Sequence, residues 1–197
     1  MVENLVLDVG CGDRPKGDVN VDLVQGESID LESFRGNVNP QHTSNFIQAT
    51  VYNLPFRNNV FTIVLCHHLL EHLTYPKKAI NELIRVSKRQ VEIIVPYKWH
   101  ELIQNWFRPD RREWAKKHHL WNFTKSQLES VFEEMNLHPS IHYQYKFLAA
   151  LKQFKTFQRR NFKQFVVYGV LEAFLPPTPG ELIVTINKTV KPITRAT

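Results

Sequence analysis

Cysteine is nearly absent from this chain: Cys11 and Cys66 are the only two in 197 residues. Two distant thiols exclude a disulfide scaffold and a cysteine-based metal knuckle, and they suit a reduced, cytoplasmic setting. Long apolar runs are missing too. No stretch approaches the roughly 20 residues of a membrane-spanning helix, and the first residues lack the charged-then-apolar layout of a signal peptide. There is no acidic excess: 25 Lys+Arg against 19 Asp+Glu leave a formal charge of +6 and a pI near 9.3. That balance suits RNA or an anionic lipid surface as a partner, and equally a basic protein with no polyanion partner. Glycine is scarce, seven in all, yet two stand one residue apart at positions 10 and 12.

What is present reads as one α/β domain over residues 1–197, with 43% apolar and 22% charged residues. Short apolar runs alternate with helical patterns. Leu5–Val9 is apolar on both faces, as a central parallel strand should be. Val19–Leu23 alternates, and Asn45–Ala49 is a weaker third strand. Val60–Cys66 and Val91–Val95 are rich in β-branched residues. Between them Ala79, Ile80, Leu83 and Ile84 share one face of a helix that Pro76 opens and Lys88 and Arg89 close. Thr124 and Gln127 have capping-box spacing ahead of a stripe of Leu128, Val131, Phe132 and Met135. Ser140–Tyr145 and Glu181–Lys188 complete the strands.

The stretch "LVLDVGCGDRP" turns sharply after a buried strand. Glycines there let the backbone bend and let a ligand approach without meeting a Cβ, and exposed N–H groups could bind it. Ligands of open parallel sheets sit at the carboxyl ends of the strands, and an acid ending the next strand can accept both hydroxyls of a ribose. Asp22 stands there. A nicotinamide fingerprint needs a third glycine and an acid about 20 residues on. This chain has Arg14 and Pro15 instead, with Asp22 twelve residues after Gly10, so a dinucleotide is disfavoured. Asp13–Asp18 is too short for a crossover helix and reads as a loop.

In these features, followed in order by "NVDL" at 20–23, "QATVYNLPFRNNVFTIVLCHHLLEHL" at 48–73, the helix at 76–88, "VEIIVP" at 91–96 and "FTKSQLESVFEEMNL" at 123–137, the chain resembles the class I S-adenosylmethionine-dependent methyltransferases. The likeness is greatest to small ones whose first strand ends in D-x-G-C-G. It implies a Rossmann-like, seven-stranded, mostly parallel sheet with the last strand antiparallel, helices on both faces and a helical insertion before that strand. It also implies S-adenosyl-L-methionine as cofactor. Gly10, Cys11 and Gly12 would line its methionine part, Asp8 would help hold the α-amino end, and Asp22, followed by Leu23, would take the ribose. Ala49, Thr50, Val51 and Leu54 would lie by the adenine, and His67 would face cofactor and cleft. Thr50 stands where the family commonly has an acid.

No catalytic residue is evident, because methyl transfer from a sulfonium needs alignment and exclusion of water more than a proton shuttle. His67 and His119 are the candidates for a base. His67–His68 and His118–His119 are adjacent pairs whose members point apart on extended chain, so no metal site is expected. Residues 97–121, dense in tryptophan and arginine, form a candidate lid, and residues 146–180 a candidate helical substrate cap whose basic, aromatic face could also meet a membrane surface. The acceptor is expected to be a small or lipid-like molecule. RNA as acceptor, and a cofactor-binding protein without turnover, remain as alternatives, and nothing indicates the oligomeric state.

Overall fold

The computed structural model describes residues 4–12, 14–23, 43–98, 118–145 and 179–188. Seven strands form one sheet: β1 (Val6–Val9), β2 (Val19–Asp22), β3 (Phe46–Gln48), β4 (Phe61–His67), β5 (Ser87–Pro96), β6 (Ser140–Tyr145) and β7 (Pro179–Asn187). Their spatial order is β3-β2-β1-β4-β5-β7-β6. All neighbours pair parallel except β7, which runs antiparallel between β5 and β6. The expected seven-stranded, mostly parallel sheet with helices is therefore observed; the expected helical insertion lies outside the described residues. Strand order reverses between β1 and β4, where open sheets place their ligand cleft. Most of the candidate lid, and all of the candidate cap but its last two residues, lie outside the described residues.

Burial explains why the central strands read as continuous apolar runs. Leu7, Val9, Val64, Cys66, Val91, Ile93 and Val95 are almost fully buried and share one sheet face, while Val6, Ile63, Leu65 and Ile94 on the other face are partly buried. Helix α1 (Pro76–Val86) follows β4 and buries Ala79, Ile80, Leu83 and Val86. Helix α2 (Lys125–Glu133) follows β5 and buries Leu128 and Phe132. Its start is the expected capping box: the Gln127 N–H donates to Thr124 Oγ1, and the Thr124 N–H donates to Gln127 Oε1.

The end of α1 departs from expectation. The helix stops at Val86 because Ser87 turns extended, and Lys88 and Arg89 begin β5 instead of closing the last turn. The cation that complements the helix terminus comes from the far end of the chain. Lys188 Nζ, just after β7, donates to the carbonyl oxygens of Ile84 (3.0 Å) and Ser87 (2.7 Å) and to Asn59 Oδ1 (2.6 Å).

A second polar knot ties the loop before β4 to α1. Arg85 donates to the carbonyls of Leu54 and Phe56 and to both oxygens of Glu82, while Glu82 Oε2 also accepts the Leu54 N–H at 2.9 Å. The Arg85 hydrogen bonds, followed by that of the Leu54 N–H, hold the Glu82 carboxyl below the usual glutamate range despite its burial. Arg85→Ala should lower stability by about 2–3 kcal/mol, the worth of a charge-assisted hydrogen-bond set. Arg85→Lys should recover less than half, since one ammonium cannot span these acceptors. A depressed carboxyl stabilises above its unfolded pKa and loses that contribution as pH falls through its folded value. Urea midpoints of wild type and Glu82→Gln should therefore differ at neutral pH. They should begin to approach one another as pH falls below about 4.3, the ordinary glutamate value, and converge only below the depressed folded value.

Candidate functional site

Residues 10–18 link β1 to β2 as a loop with no helix among its described residues. Gly10 and Gly12 both have positive φ, +75° and +55°. A Cβ on Gly10 would lie 2.9 Å from the Leu69 side chain, whereas one on Gly12 would meet nothing within 4 Å. Gly10 therefore serves close packing, and Gly12 borders open space. Their N–H groups do not await a ligand as the sequence suggested. Those of Gly10 and Cys11 donate to the Val21 carbonyl, and that of Gly12 donates to Asp22 Oδ2 at 2.8 Å. The turn can offer a Cβ-free surface, but its donors are committed to β2.

Asp22 ends β2 as expected and does double duty. Its Oδ1 accepts the Leu23 N–H at 2.7 Å while Oδ2 takes Gly12. A carboxylate has about four lone-pair positions, so acceptor capacity remains for further donors. Leu23 beside it is 51% exposed, an uncovered apolar face at the rim of the turn. Asp8, 3% exposed, accepts the Lys16 N–H at Oδ2 (2.9 Å). Desolvation raises its pKa, against the lowering effect of that hydrogen bond and of His67 and Lys16.

The segment after β3 meets expectation only in part. The Ala49 N–H donates to the Asp22 carbonyl, which seats Ala49 and the half-buried Thr50 beside the acid. Thr50 Oγ1 accepts the Tyr52 N–H. Val51 and Leu54 are 6% and 2% exposed and belong to the core, so their side chains leave almost no surface for an adenine. His67, at the end of β4, is held on both sides. Its Nε2 lies 2.9 Å from Glu92 Oε1, and its Nδ1 lies 3.2 Å from the Lys16 ammonium. An ammonium can only donate, so Nδ1 is the accepting nitrogen and Nε2–H donates to the carboxylate. Burial, then Lys16, lowers the His67 pKa.

Residues 7–95 match the family model of the methyltransferase domain. Over that stretch, a little under half of its length, the chain is similar to the methyltransferase domain. The solved structures with the same fold include several S-adenosylmethionine-dependent methyltransferases. One is a methyltransferase from Thermotoga maritima (12% identity, TM-score 0.59, covering 95% of this chain and 83% of that one). Another comes from Archaeoglobus fulgidus (16%, 0.55, 93% and 85%). The [4+2]-cyclase SpnF also shares the fold (15%, 0.55, 94% and 75%). Among curated proteins, the chain is 26% identical to a demethylmenaquinone methyltransferase of Paenarthrobacter aurescens over 105 residues, 53% of this chain and 41% of that one. It is 45% identical over 49 residues to an uncharacterized protein of Methanocaldococcus jannaschii, 25% of this chain and 21% of that one. The chain thus spans well under half the length of these curated relatives.

Beyond β4 the fold gathers residues that sequence reasoning left separate. His68 has a positive φ of +54°, rare for a residue with a Cβ. That turn reverses the chain into a short 3₁₀ helix, Leu70–His72. Its ring is anchored by Glu181 of β7 (3.0 Å) and lies 3.7 Å from Glu71 Oε1. Burial lowers the His68 pKa, but these two acids outweigh it and hold the group above its ordinary value. Glu71 is itself buried, and its carbonyl accepts the N–H groups of Leu120 and Trp121. Those bonds bring His118 and His119 beside His72. The only sequence hint was two histidine pairs some fifty residues apart, and spacing says nothing about a contact made through the fold.

The cysteines take no part in chemistry. Burial, with Asp22 and Asp8 nearby, pushes the Cys11 thiol up to about 12, and burial raises Cys66 as well. At pH 8 roughly one Cys11 in ten thousand is the reactive thiolate. An aromatic disulfide reagent should leave both thiols intact in the native protein and titrate both in guanidinium. Rapid native reaction at Cys11 would mean that the glycine turn is not packed as described.

Proposed function

We propose that this protein transfers the methyl group of S-adenosylmethionine to a small, lipid-like acceptor. The observation that carries the cofactor half is the pairing of Asp22 with Gly12. The acid at the end of β2 is fixed by the turn, keeps acceptor capacity, and stands beside a glycine whose side faces open space. Asp22 would hold the ribose hydroxyls. Leu23, Ala49 and Thr50 would line the adenine. Gly10, Cys11 and Gly12 would border the amino-acid tail by shape and Cβ-free surface rather than by N–H donors, and Asp8 would favour its ammonium.

When bound, the cofactor supplies an electrophilic methyl on a sulfonium. The chain's share is to fix that methyl in line with an acceptor lone pair and to keep water out, since a dry cleft favours the dispersal of charge in the displacement. His67 is poorly placed as a general base, because its accepting nitrogen is already taken by Lys16 and its pKa is lowered. The lipid-like acceptor is supported by the likeness to a demethylmenaquinone methyltransferase. RNA is the rival acceptor, on the basic charge. Candidate lid and cap, residues 97–121 and 146–180, would then shape the acceptor side.

Calorimetry should show one equivalent of S-adenosylhomocysteine bound to the wild type, and Asp22→Ala should weaken it by about 1–3 kcal/mol, roughly tenfold to a hundredfold in Kd. Because Asp22 also restrains Gly12, Asp22→Asn is the sharper variant: it keeps an amide oxygen for one N–H and should fall between the two. Wild type that binds no cofactor would end the proposal. With radiolabelled donor, turnover on demethylated quinones favours the lipid-like acceptor. Turnover on RNA, with affinity falling steeply as salt rises, favours the rival.

A further inference from the structure

We propose that Glu71, His72 and His119 form a binding site for a divalent transition-metal ion, separate from the groups assigned to the cofactor. One donor atom from each lies within 4.8 Å of the others. A tetrahedral ion with bonds of about 2.1 Å sets its donors about 3.4 Å apart, so rotamer adjustments would close the cage. The donor set, two imidazoles and a carboxylate, suits zinc, manganese, iron or cobalt, whereas calcium and magnesium favour oxygen alone.

Two observations besides proximity point to an ion. The first is the orientation of His72. Its Nδ1 lies 2.9 Å from the His118 carbonyl oxygen. A carbonyl can only accept, so Nδ1 carries a proton, and in the neutral ring Nε2 is the nitrogen able to ligate; it lies 3.8 Å from Glu71 Oε1. A backbone carbonyl that fixes the tautomer of an imidazole is the usual outer support of a metal-ligating histidine. The second is Glu71. Its residue is 1% exposed, and its Oε2 is buried with no hydrogen-bond partner. A buried carboxylate oxygen left without a donor is costly, and a cation would satisfy it. His68 and His72 both approach Oε1, at 3.7 and 3.8 Å, and a turn of the carboxylate about its last bond exchanges the two oxygens. The ring of His119 meets that of His72 edge-on, with centroids 4.8 Å apart.

The architecture holds these ligands in place before any ion arrives. Glu71 and His72 ride on the 3₁₀ helix after β4, and the N–H groups of Leu120 and Trp121 clamp the His119 segment to the Glu71 carbonyl (2.9 and 3.1 Å). Three protein ligands leave at least one coordination position open, the arrangement of ions that act on a substrate rather than merely brace a fold. The expectation of no metal site came from weighing each histidine pair alone. The fold takes His119 from the second pair and sets it beside His72 and a buried acid, neither of which belongs to a pair.

The test uses the full chain, stripped with a chelator and titrated with Co²⁺ in the absence of any methyl donor, so that it reads independently of cofactor binding. One equivalent should bind with the intense visible bands of four- or five-coordinate cobalt, and Zn²⁺ should displace it. His119→Ala and Glu71→Gln should each weaken binding at least a hundredfold, while His142→Ala, an exposed histidine on β6, should leave it unchanged. Circular dichroism checks that the variants fold. If they do not, X-ray absorption of the zinc-loaded wild type decides: two imidazoles with an oxygen donor uphold the site. A shell without imidazole, absence of stoichiometric binding, or unchanged affinity in folded His119→Ala would each overturn it.

Discussion

Parallel neighbours need a crossover, and the one between β1 and β2 is confined to residues 10–18, shorter than the dozen or so residues usual for such a connection. Without a helix the peptide groups of its described residues cannot satisfy one another along an axis, yet they lie against a buried sheet. The first two strands take them instead. Val21 accepts from Gly10 and Cys11, Asp22 from Gly12, Asp8 from Lys16, and Asn20 exchanges two hydrogen bonds with Gly17. Asp18 returns the favour by accepting the Val6 N–H. Gly17 is required for a reason of space: a Cβ there would come within 2.5 Å of the Val19 carbonyl. The acids that look like ligand groups in the sequence are thus also the pins of a loop too short to hold itself.

This double use explains what could and could not be read from the chain. Strands β1, β4 and β5 were legible because one face is fully buried and the other partly covered, which favours β-branched and aliphatic runs. The capping box was legible because its two partners are three residues apart. Asp22 was legible by position, but its bond to Gly12 was not, since nothing in a one-dimensional spacing shows which carboxylate a turn will fold against. Lys188 at the end of α1 was hidden for the same reason: its acceptors lie more than a hundred residues away. Val51 and Leu54 were misread in the opposite sense. A segment beside a cleft can point its apolar side chains inward, and only the Arg85–Glu82 knot that draws the Leu54 backbone onto α1 reveals that it does.

Neighbours that share this fold at 12–16% identity include methyltransferases and a cyclase. Functional differences within one fold usually enter from the segments that follow the strands. In this chain a histidine in a left-handed turn, His68, precedes Leu69, the side chain that packs on Gly10, and a buried glutamate and a second histidine follow at positions 71 and 72. A few residues thus join the glycine turn to the Glu71–His72 cluster.

The charges of that junction bear on how the proposed transfer would work. From Asp8 a polar chain runs through the Lys16 backbone, the Lys16 ammonium and His67 to Glu92. Every member has its partner, and burial and the lysine lower the pKa of the histidine at its centre. A base poised to take a proton from an acceptor would need an accessible lone pair, and the accepting nitrogen of His67 is taken up by Lys16. The arrangement is instead one of fixed dipoles and paired charges, which costs little to reorganise as a sulfonium's charge disperses. Were the acceptor to lose a proton, an ion held by Glu71, His72 and His119 on the far side of Leu69, as proposed, would be one means of lowering its pKa.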